Sequence, residues 1–204
     1  MSEAVYSTFV FENAPDWDFV PERSLDFSNW DSKIHYNTFF RMCFVKNKGI
    51  YLRMRTDETA LRTVNTGRDG SVWEDSCMEF FIRPFAHREE YLNFEMTPVG
   101  AWLCQYGRGR EGRVFLKTLT DIEAEIRTEI SSDGWCLELF VPCGLISEAF
   151  GESFTPKAGT LKGNFYKCGD LTEKVHYDSF AKMTTLPPGF HNPDCFAEII
   201  ISER

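Results

Sequence analysis

The chain has 204 residues, of which 22 are basic and 31 acidic, so its formal net charge is −9. This length fits one domain, and we expect residues 1–204 to form a single unit. The acidic balance argues against nucleic acid or an anionic membrane as a partner, because both repel a negatively charged protein. No apolar run approaches the roughly 20 residues that a membrane-spanning helix needs.

The N-terminus and the cysteines indicate the compartment. Residues 1–6 show neither a basic region nor an apolar run of the kind found in a secretory signal. The seven cysteines are scattered and include no C-x-x-C pair, which favours reduced thiols over a disulfide framework or a structural zinc site. We therefore expect a cytoplasmic protein without a required cofactor.

Short strand patterns separated by turn residues recur along the whole chain. The candidate strands are residues 5–11, 39–45, 50–55, 78–83, 91–96, 101–106, 122–130, 135–141, 161–168, 177–181 and 197–202. The Asp133-Gly134 pair between two alternating strands is a strong hairpin signal. Residues 144–150, after Pro142, could form two turns of helix. The pattern predicts an all-β antiparallel β-sandwich, immunoglobulin-like or jelly-roll-like, with little helix.

The region from residue 16 to residue 31 reads as an irregular loop with a short helix. It contains four aspartates, namely Asp16, Asp18, Asp26 and Asp31. Oxygen-rich loops can hold calcium, although this spacing matches no EF-hand. Ordinary polar loop residues are the leading interpretation, and a structural calcium near Asp16 and Asp18 is the alternative.

The most informative segment places Trp73 and an acidic loop directly before a strand. On that strand Met78 and Phe80 point to one face, and Glu79 and Phe81 point to the other. A carboxylate near an exposed tryptophan can bind a sugar, because the ring stacks on the pyranose and the carboxylate accepts hydroxyl protons. The alternative is a core tryptophan beside a surface glutamate.

Three glutamates on different strands, Glu79, Glu95 and Glu138, are candidates for one sheet face. They would form a catalytic pair, a polar binding surface or a solvated face, since an antiparallel sheet usually has one wet side. Arg53 and Arg55 share a face of another strand and would neutralise these carboxylates. That pairing favours binding over catalysis, because it leaves no proton donor with a raised pKa.

Four blocks of the chain, in order, resemble carbohydrate-binding module family 9 and its family 9-like relatives, within the wider DOMON-like group. The blocks are Trp73–Phe81, Tyr91–Gly100, Trp135–Pro142 and a C-terminal block of residues 163–170, 176–180 and 190–196. The resemblance implies a non-catalytic sandwich that holds a mono- or oligosaccharide in a slot between two aromatic rings.

On this sequence the resemblance assigns the two rings to Trp73 and Phe190 and the acidic partner to Glu79. The second ring of the family is typically tryptophan, so Phe190 offers a smaller face. The polar residues expected around the sugar are Arg53, Arg55, Glu95, Asn164 and His191. Asn164 has a second interpretation, in which its amide satisfies a loop backbone.

Three other functions remain open from the sequence. A glycan-processing enzyme would use Glu79 with Glu95 or Glu138. A DOMON-type haem or small-ligand binder would need an axial pair that joins Met54 or Met96 to His176 or His191. An interaction domain whose sugar slot has decayed is the third alternative. Oligomeric state and the identity of the sugar are not encoded in any pattern of the chain.

Overall fold

The computed structural model describes residues 4–204, which form fourteen strands and one α-helix. The first seven strands are β1 (Val5–Phe11), β2 (Arg23–Ser24), β3 (Phe27–Ser28), β4 (Thr38–Val45), β5 (Gly49–Thr56), β6 (Cys77–Arg83) and β7 (Tyr91–Met96). The others are β8 (Trp102–Gly107), β9 (Val114–Phe115), β10 (Glu125–Ser131), β11 (Gly134–Pro142), β12 (Gly159–Gly169), β13 (His176–Ser179) and β14 (Ala197–Glu203). The helix α1 spans Cys143–Phe150, as the sequence predicts to within one residue.

The strands join in one curled sheet, in which eleven follow the order β10-β11-β5-β4-β1-β14-β12-β6-β7-β8-β9. Of the other three, β2 pairs with β4, and β13 pairs with β12 and β3. The prediction of a purely antiparallel sheet is wrong at β1, which pairs in parallel with both β4 and β14. Segment 12–37 lies between β1 and β4 and is long enough to return the chain to the same end of the sheet, as parallel pairing requires. The DOMON-type relationship stays a prediction.

The hairpins expected from turn residues are confirmed at β4–β5, β7–β8 and β10–β11. At Gly134 the backbone φ is 137°, and a Cβ there would lie 1.9 Å from the carbonyl oxygen of Thr56, so the turn requires glycine. Strand β10 begins at Glu125 instead of residue 122. The short helix expected in residues 16–31 is wrong, since that region forms the two-residue strands β2 and β3.

The main core fills the space between the two halves of the curled sheet, as in a β-sandwich. Phe40 of β4 stacks on Phe165 of β12 with ring centroids 3.7 Å apart, and Phe165 stacks in turn on Phe80 of β6. Burying each such ring contributes roughly 1.5–3 kcal/mol. Phe80 and Met78 point into this core, which confirms the alternation predicted for their strand.

The opposite face of β6, β7 and β12 is also buried, contrary to the expectation of one wet side. A second apolar cluster covers it and includes Phe81, Tyr91 and Tyr166. Two loops supply the cover, one carrying Trp30 and the other carrying Met183 to Phe196. The candidate site lies between this sheet face and those loops. In residues 4–204 no helix has the length and apolar character needed to cross a bilayer.

Candidate functional site

A pocket of about 290 Å³ opens where the covered face of β6, β7, β8 and β12 meets the two loops. That volume lies at the lower end of the range of ligand pockets, roughly 300–1,000 Å³. Five aromatic rings and three carboxylates dominate its lining. These groups are Trp30, Trp73, Phe81, Tyr177, Phe190, Glu79, Glu95 and Asp170, with Gln105, Arg110 and His191 among the others.

Trp73 lies at the pocket and presents its ring to solvent, with 38% of its surface exposed. It belongs to a 3-10 turn, Val72–Glu74, which the buried Val72 anchors. The turn is attached to the end of β12, because the amide N–H of Asp170 donates to the Trp73 carbonyl oxygen at 3.1 Å. Trp73 is therefore a fixed, solvent-facing ring and not a core tryptophan.

Asp75 and Ser76, which follow the Trp73 turn, anchor it to the protein interior through hydrogen bonds. The Asp75 carboxylate accepts hydrogen bonds from the Arg62 guanidinium and from the amide N–H of Asn65. The Ser76 hydroxyl donates to buried Glu58 at 2.9 Å. These two side chains are fully buried and do not reach the pocket, so they specify the local fold and position Trp73.

The opposite wall is formed by Phe190 together with Trp30. Phe190 is only 7% exposed and stacks on Tyr166 with centroids 4.1 Å apart. Trp30 packs against Phe190 at 5.4 Å, and its indole N–H donates to the Thr185 carbonyl oxygen at 3.0 Å. The second aromatic surface of the pocket is therefore shared by two rings, and Phe190 alone offers little free face.

Glu79 and Glu95 form the floor of the pocket as direct cross-strand neighbours on β6 and β7. They are 2% and 3% exposed. Glu79 accepts a hydrogen bond from the Cys168 thiol at 2.9 Å, and Glu95 accepts one from the Asn93 amide at 2.7 Å. Burial raises the pKa of Glu95 to about 7 and also raises that of Glu79 well above its ordinary value.

The rim carries Asp170, Arg110 and His191. Burial raises the pKa of Asp170 to about 6. His191 exchanges a hydrogen bond with the Tyr91 hydroxyl at 2.9 Å, and its ring packs on Phe81 at 4.9 Å. Burial lowers the pKa of His191 to about 3, so its ring is neutral at pH 7 and can serve as a hydrogen-bond donor or acceptor.

The structure thus brings Trp73, Glu79, Glu95, Phe190 and His191 together in one pocket, as the sequence predicts. The glutamate floor lies beside the Trp73 turn, and Asp170, Arg110 and His191 line the rim around it. Such a site can stack a flat apolar ligand face on an aromatic ring while its oxygen atoms bind hydroxyl groups.

Arg53 and Arg55 lie elsewhere, which corrects their assignment to the site. Arg53 pairs with Glu138 at 2.7 Å and covers the Trp17 ring, while Arg55 pairs with Glu22 at 2.8 Å. Both arginines lie on exposed positions of β5, in the other half of the sheet. Because β5 pairs with β11 and not with β6, neither arginine neutralises Glu79, and Glu138 does not join the other two glutamates.

Asn164 is buried and serves the backbone. Its side-chain oxygen accepts from the amide N–H groups of Phe165 and Ala181, both at 2.9 Å, and its amide donates to the Ala181 carbonyl oxygen at 3.1 Å. With these partners satisfied, Asn164 does not line the pocket, and the backbone interpretation of this residue is the one the contacts support.

Two alternatives from the sequence concern bound groups, namely a calcium ion near Asp16 and Asp18 and a haem held by a methionine and a histidine. Within residues 4–204 the one group of three converging His, Cys, Asp or Glu side chains is Cys77, Glu79 and Cys168, and it includes neither Asp16 nor Asp18. Both ring nitrogens of His176 already have protein partners, and Met54 and Met96 are buried in the main core. His191 lines the pocket and is hydrogen-bonded to the Tyr91 hydroxyl.

Sequence reasoning missed Trp30, Asp170 and Tyr177 as pocket residues. Trp30 follows Asn29 in a loop without periodicity, and it adopts a left-handed backbone with φ of 51°. The side-chain amide of buried Asn29 donates to the Tyr177 carbonyl oxygen at 2.9 Å and so attaches the loop to β13. Such a contact between distant segments leaves no local pattern in the sequence.

Comparison with known proteins agrees with this geometry. The model of carbohydrate-binding family 9 matches residues 12–201. A Bacteroides uniformis protein, to which carbohydrate binding has been provisionally assigned, is 26% identical, with a TM-score of 0.84 and coverage of 98% of this chain and 100% of that one. No curated protein matches the chain.

Two further structures are of a family 9 module from Caldicellulosiruptor kristjanssonii. Its glucose complex is 13% identical with a TM-score of 0.72, covering 98% of this chain and 96% of that one. Its cellotriose complex is 14% identical with a TM-score of 0.68, covering 98% and 94%. At these identities the likeness shows a shared fold. The match over residues 12–201 places the chain in carbohydrate-binding family 9.

Proposed function

We propose that this protein binds the terminal residue of a glucose-containing saccharide in the pocket between Trp73 and the Trp30–Phe190 wall. The observation that carries the proposal is a solvent-facing indole above two buried carboxylates in a small pocket. The indole supplies the stacking surface, and the oxygens of Glu79 and Glu95 bind sugar hydroxyl groups. The carbohydrate-binding family to which the chain belongs supports the same ligand class.

The size of the pocket favours one sugar unit over a long chain. At about 290 Å³ the pocket accommodates a monosaccharide-sized group, and longer saccharides would extend into solvent past Trp73. The solved family 9 module from C. kristjanssonii was crystallised with glucose and with cellotriose, which makes these two sugars the natural first probes.

Affinity should be modest. An aromatic stack contributes about 1 kcal/mol beyond area burial, and a hydrogen bond to a charged group contributes roughly 1.5–3 kcal/mol. The cost of association offsets much of this gain, so we expect dissociation constants in the micromolar to millimolar range.

Isothermal titration with glucose, cellobiose and cellotriose tests the proposal. Trp73→Ala should weaken binding at least tenfold, which corresponds to about 1.4 kcal/mol. Phe115→Ala is the matched control, because Phe115 is 37% exposed and lies outside the pocket. No heat with any of the three sugars, or a Trp73→Ala variant that binds like the parent, would overturn it.

We further propose that binding is not followed by catalysis. A glycosidase places an acid and an ionised carboxylate on opposite sides of the scissile bond. Here Glu79 and Glu95 are direct cross-strand neighbours on one floor, so both carboxyl groups approach a bound sugar from the same side. Incubation with aryl glucosides should release no chromophore above the buffer control, whereas release that Glu79→Gln abolishes would favour an enzyme.

A further inference from the structure

Cys77, Glu79 and Cys168 converge at one point behind the floor of the pocket. Cys77 and Cys168 are direct cross-strand partners on β6 and β12, and Glu79, two residues after Cys77, projects to the same face. The ligand atoms of all three lie within 4.8 Å of one another. This convergence depends on strand pairing, which explains why the cysteine spacing in the sequence gives no sign of it.

The cluster is buried and lacks a cation. Within residues 4–204 the nearest buried ammonium along β12, that of Lys167, pairs with Glu58 at 2.8 Å and not with Glu79. The only side-chain donor to Glu79 in that part of the chain is the Cys168 thiol. Buried carboxylates in proteins are paired, protonated or bound to metal ions, so the cluster has room for a positive charge that the protein does not supply.

The carboxylate of Glu95, beside the cluster, also lacks a hydrogen-bond partner for one of its oxygens. Glu95 lies directly opposite Glu79 in the sheet register and lines the same pocket. Its Oε2 atom is buried and has no hydrogen-bond partner, while its Oε1 atom is occupied by Asn93. Buried polar atoms in proteins normally have a partner, and a ligand or an ion bound beside Glu95 Oε2 would supply one.

We propose that Cys77, Cys168 and Glu79 form a zinc site whose fourth position opens to the pocket. Two thiolates and one carboxylate are a donor set that suits a borderline-soft divalent ion, and hard cations such as calcium prefer oxygen alone. Binding releases the two thiol protons, and the carboxyl proton where Glu79 holds one, to solvent and involves no redox step.

The geometry is close to what zinc requires. With Zn–S near 2.3 Å and Zn–O near 2.1 Å, tetrahedral ligand atoms lie roughly 3.5–4 Å apart. The three atoms here are within 4.8 Å of one another, so shifts of about 1 Å in their separations close the site. Glu79 and Cys168 line the pocket, so the open position faces it, with Glu95 alongside.

Cobalt titration of the reduced 204-residue chain tests the proposal, because Co²⁺ reports both tetrahedral geometry and thiolate ligation by absorbance. We expect visible bands and a near-ultraviolet thiolate-to-cobalt band that saturate at one equivalent and disappear when Zn²⁺ is added. Cys168→Ser and, independently, Cys77→Ser should abolish the near-ultraviolet band. Cys136→Ser is the control, since this partly buried thiol lies on β11 away from the cluster.

Glu79 takes part in both proposals, but the cobalt titration contains no sugar and the calorimetry contains no added metal, so the two can fail separately. Absence of a thiolate band in the wild-type protein would overturn it without needing any variant to fold. A band that survives in a folded Cys168→Ser variant would also overturn it, because the metal would then be bound elsewhere. A Cys77–Cys168 disulfide that persists under reducing conditions would exclude the site as well.

Discussion

Replacing Lys167 by methionine should destabilise the protein strongly, because the lysine neutralises a carboxylate in the interior. Lys167 and Glu58 are both fully buried and are joined at 2.8 Å. The ammonium also donates to His176 Nε2 at 2.6 Å and to the Cys168 carbonyl oxygen at 3.1 Å. Glu58 accepts further hydrogen bonds from Ser76 and from the Trp135 indole.

The expected loss follows from the group that remains after the substitution. Methionine fills a similar volume, so packing changes little, but Glu58 becomes a buried carboxylate without a cation. Removing one partner of a buried ion pair costs about 3–5 kcal/mol. For a protein of this size each kcal/mol lowers Tm by ~2–4 °C, which gives a decrease of roughly 6–20 °C.

Urea denaturation of Lys167→Met measures this loss of unfolding free energy, and two further variants isolate its cause. Adding Glu58→Gln to Lys167→Met should recover much of the stability, since it removes the unpaired charge. Lys46→Met is the matched control, because Lys46 pairs with Glu12 at 2.9 Å but on the exposed surface, where such a pair contributes about 0–1 kcal/mol. A loss below ~1 kcal/mol for Lys167→Met, or no recovery in the double variant, would refute the reasoning.

Three further predictions concern other parts of the molecule. Asn164→Ala should cost about 1–3 kcal/mol in urea denaturation, because it leaves buried backbone groups of Ala181 without partners, and a neutral result would contradict that role. Arg53→Ala should leave glucose affinity unchanged in calorimetry, because Arg53 pairs with Glu138 outside the pocket. A tenfold loss of affinity would show that Arg53 takes part in binding. Burial lowers the pKa of His176 to about 4, below its ordinary value of 6.5. The unfolded chain therefore takes up this proton first, and stability should fall by about 3 kcal/mol as pH drops from 6.5 to 4. His176→Gln should flatten that part of the pH profile of the unfolding free energy, and an unchanged slope would contradict the assignment.

Local patterns in the sequence predicted the strands that build the sheet, because each needs only alternation and a turn. Met78 and Phe80 face the core as their period-2 spacing requires. The same rule could not predict what covers the other face. It left open whether Glu79 lies on a solvated face or on a binding surface, whereas loops from distant parts of the chain bury it. The parallel pairing of β1 was also missed, because β14 lies at the other end of the chain and β4 follows a long connection.

The family resemblance named Trp73 and Phe190 but not Trp30, and the physical reason lies in how each ring is held. Trp73 belongs to a turn fixed by nearby groups, Arg62 and Asn65 binding Asp75, so its motif is readable in one short segment. The opposite wall depends on contacts between segments far apart in sequence, such as Trp30 on Phe190.

That division explains why a smaller ring at Phe190 does not by itself remove the pocket. Phe190 is mostly buried against Tyr166, and the Trp30 indole restores aromatic surface on the same side. The relevant unit for ligand stacking is therefore the pair of rings together with Trp73. A sequence in which Trp30 is replaced by a small residue would keep every local family motif and lose one wall of the pocket, so the Trp30 loop decides whether the site is complete.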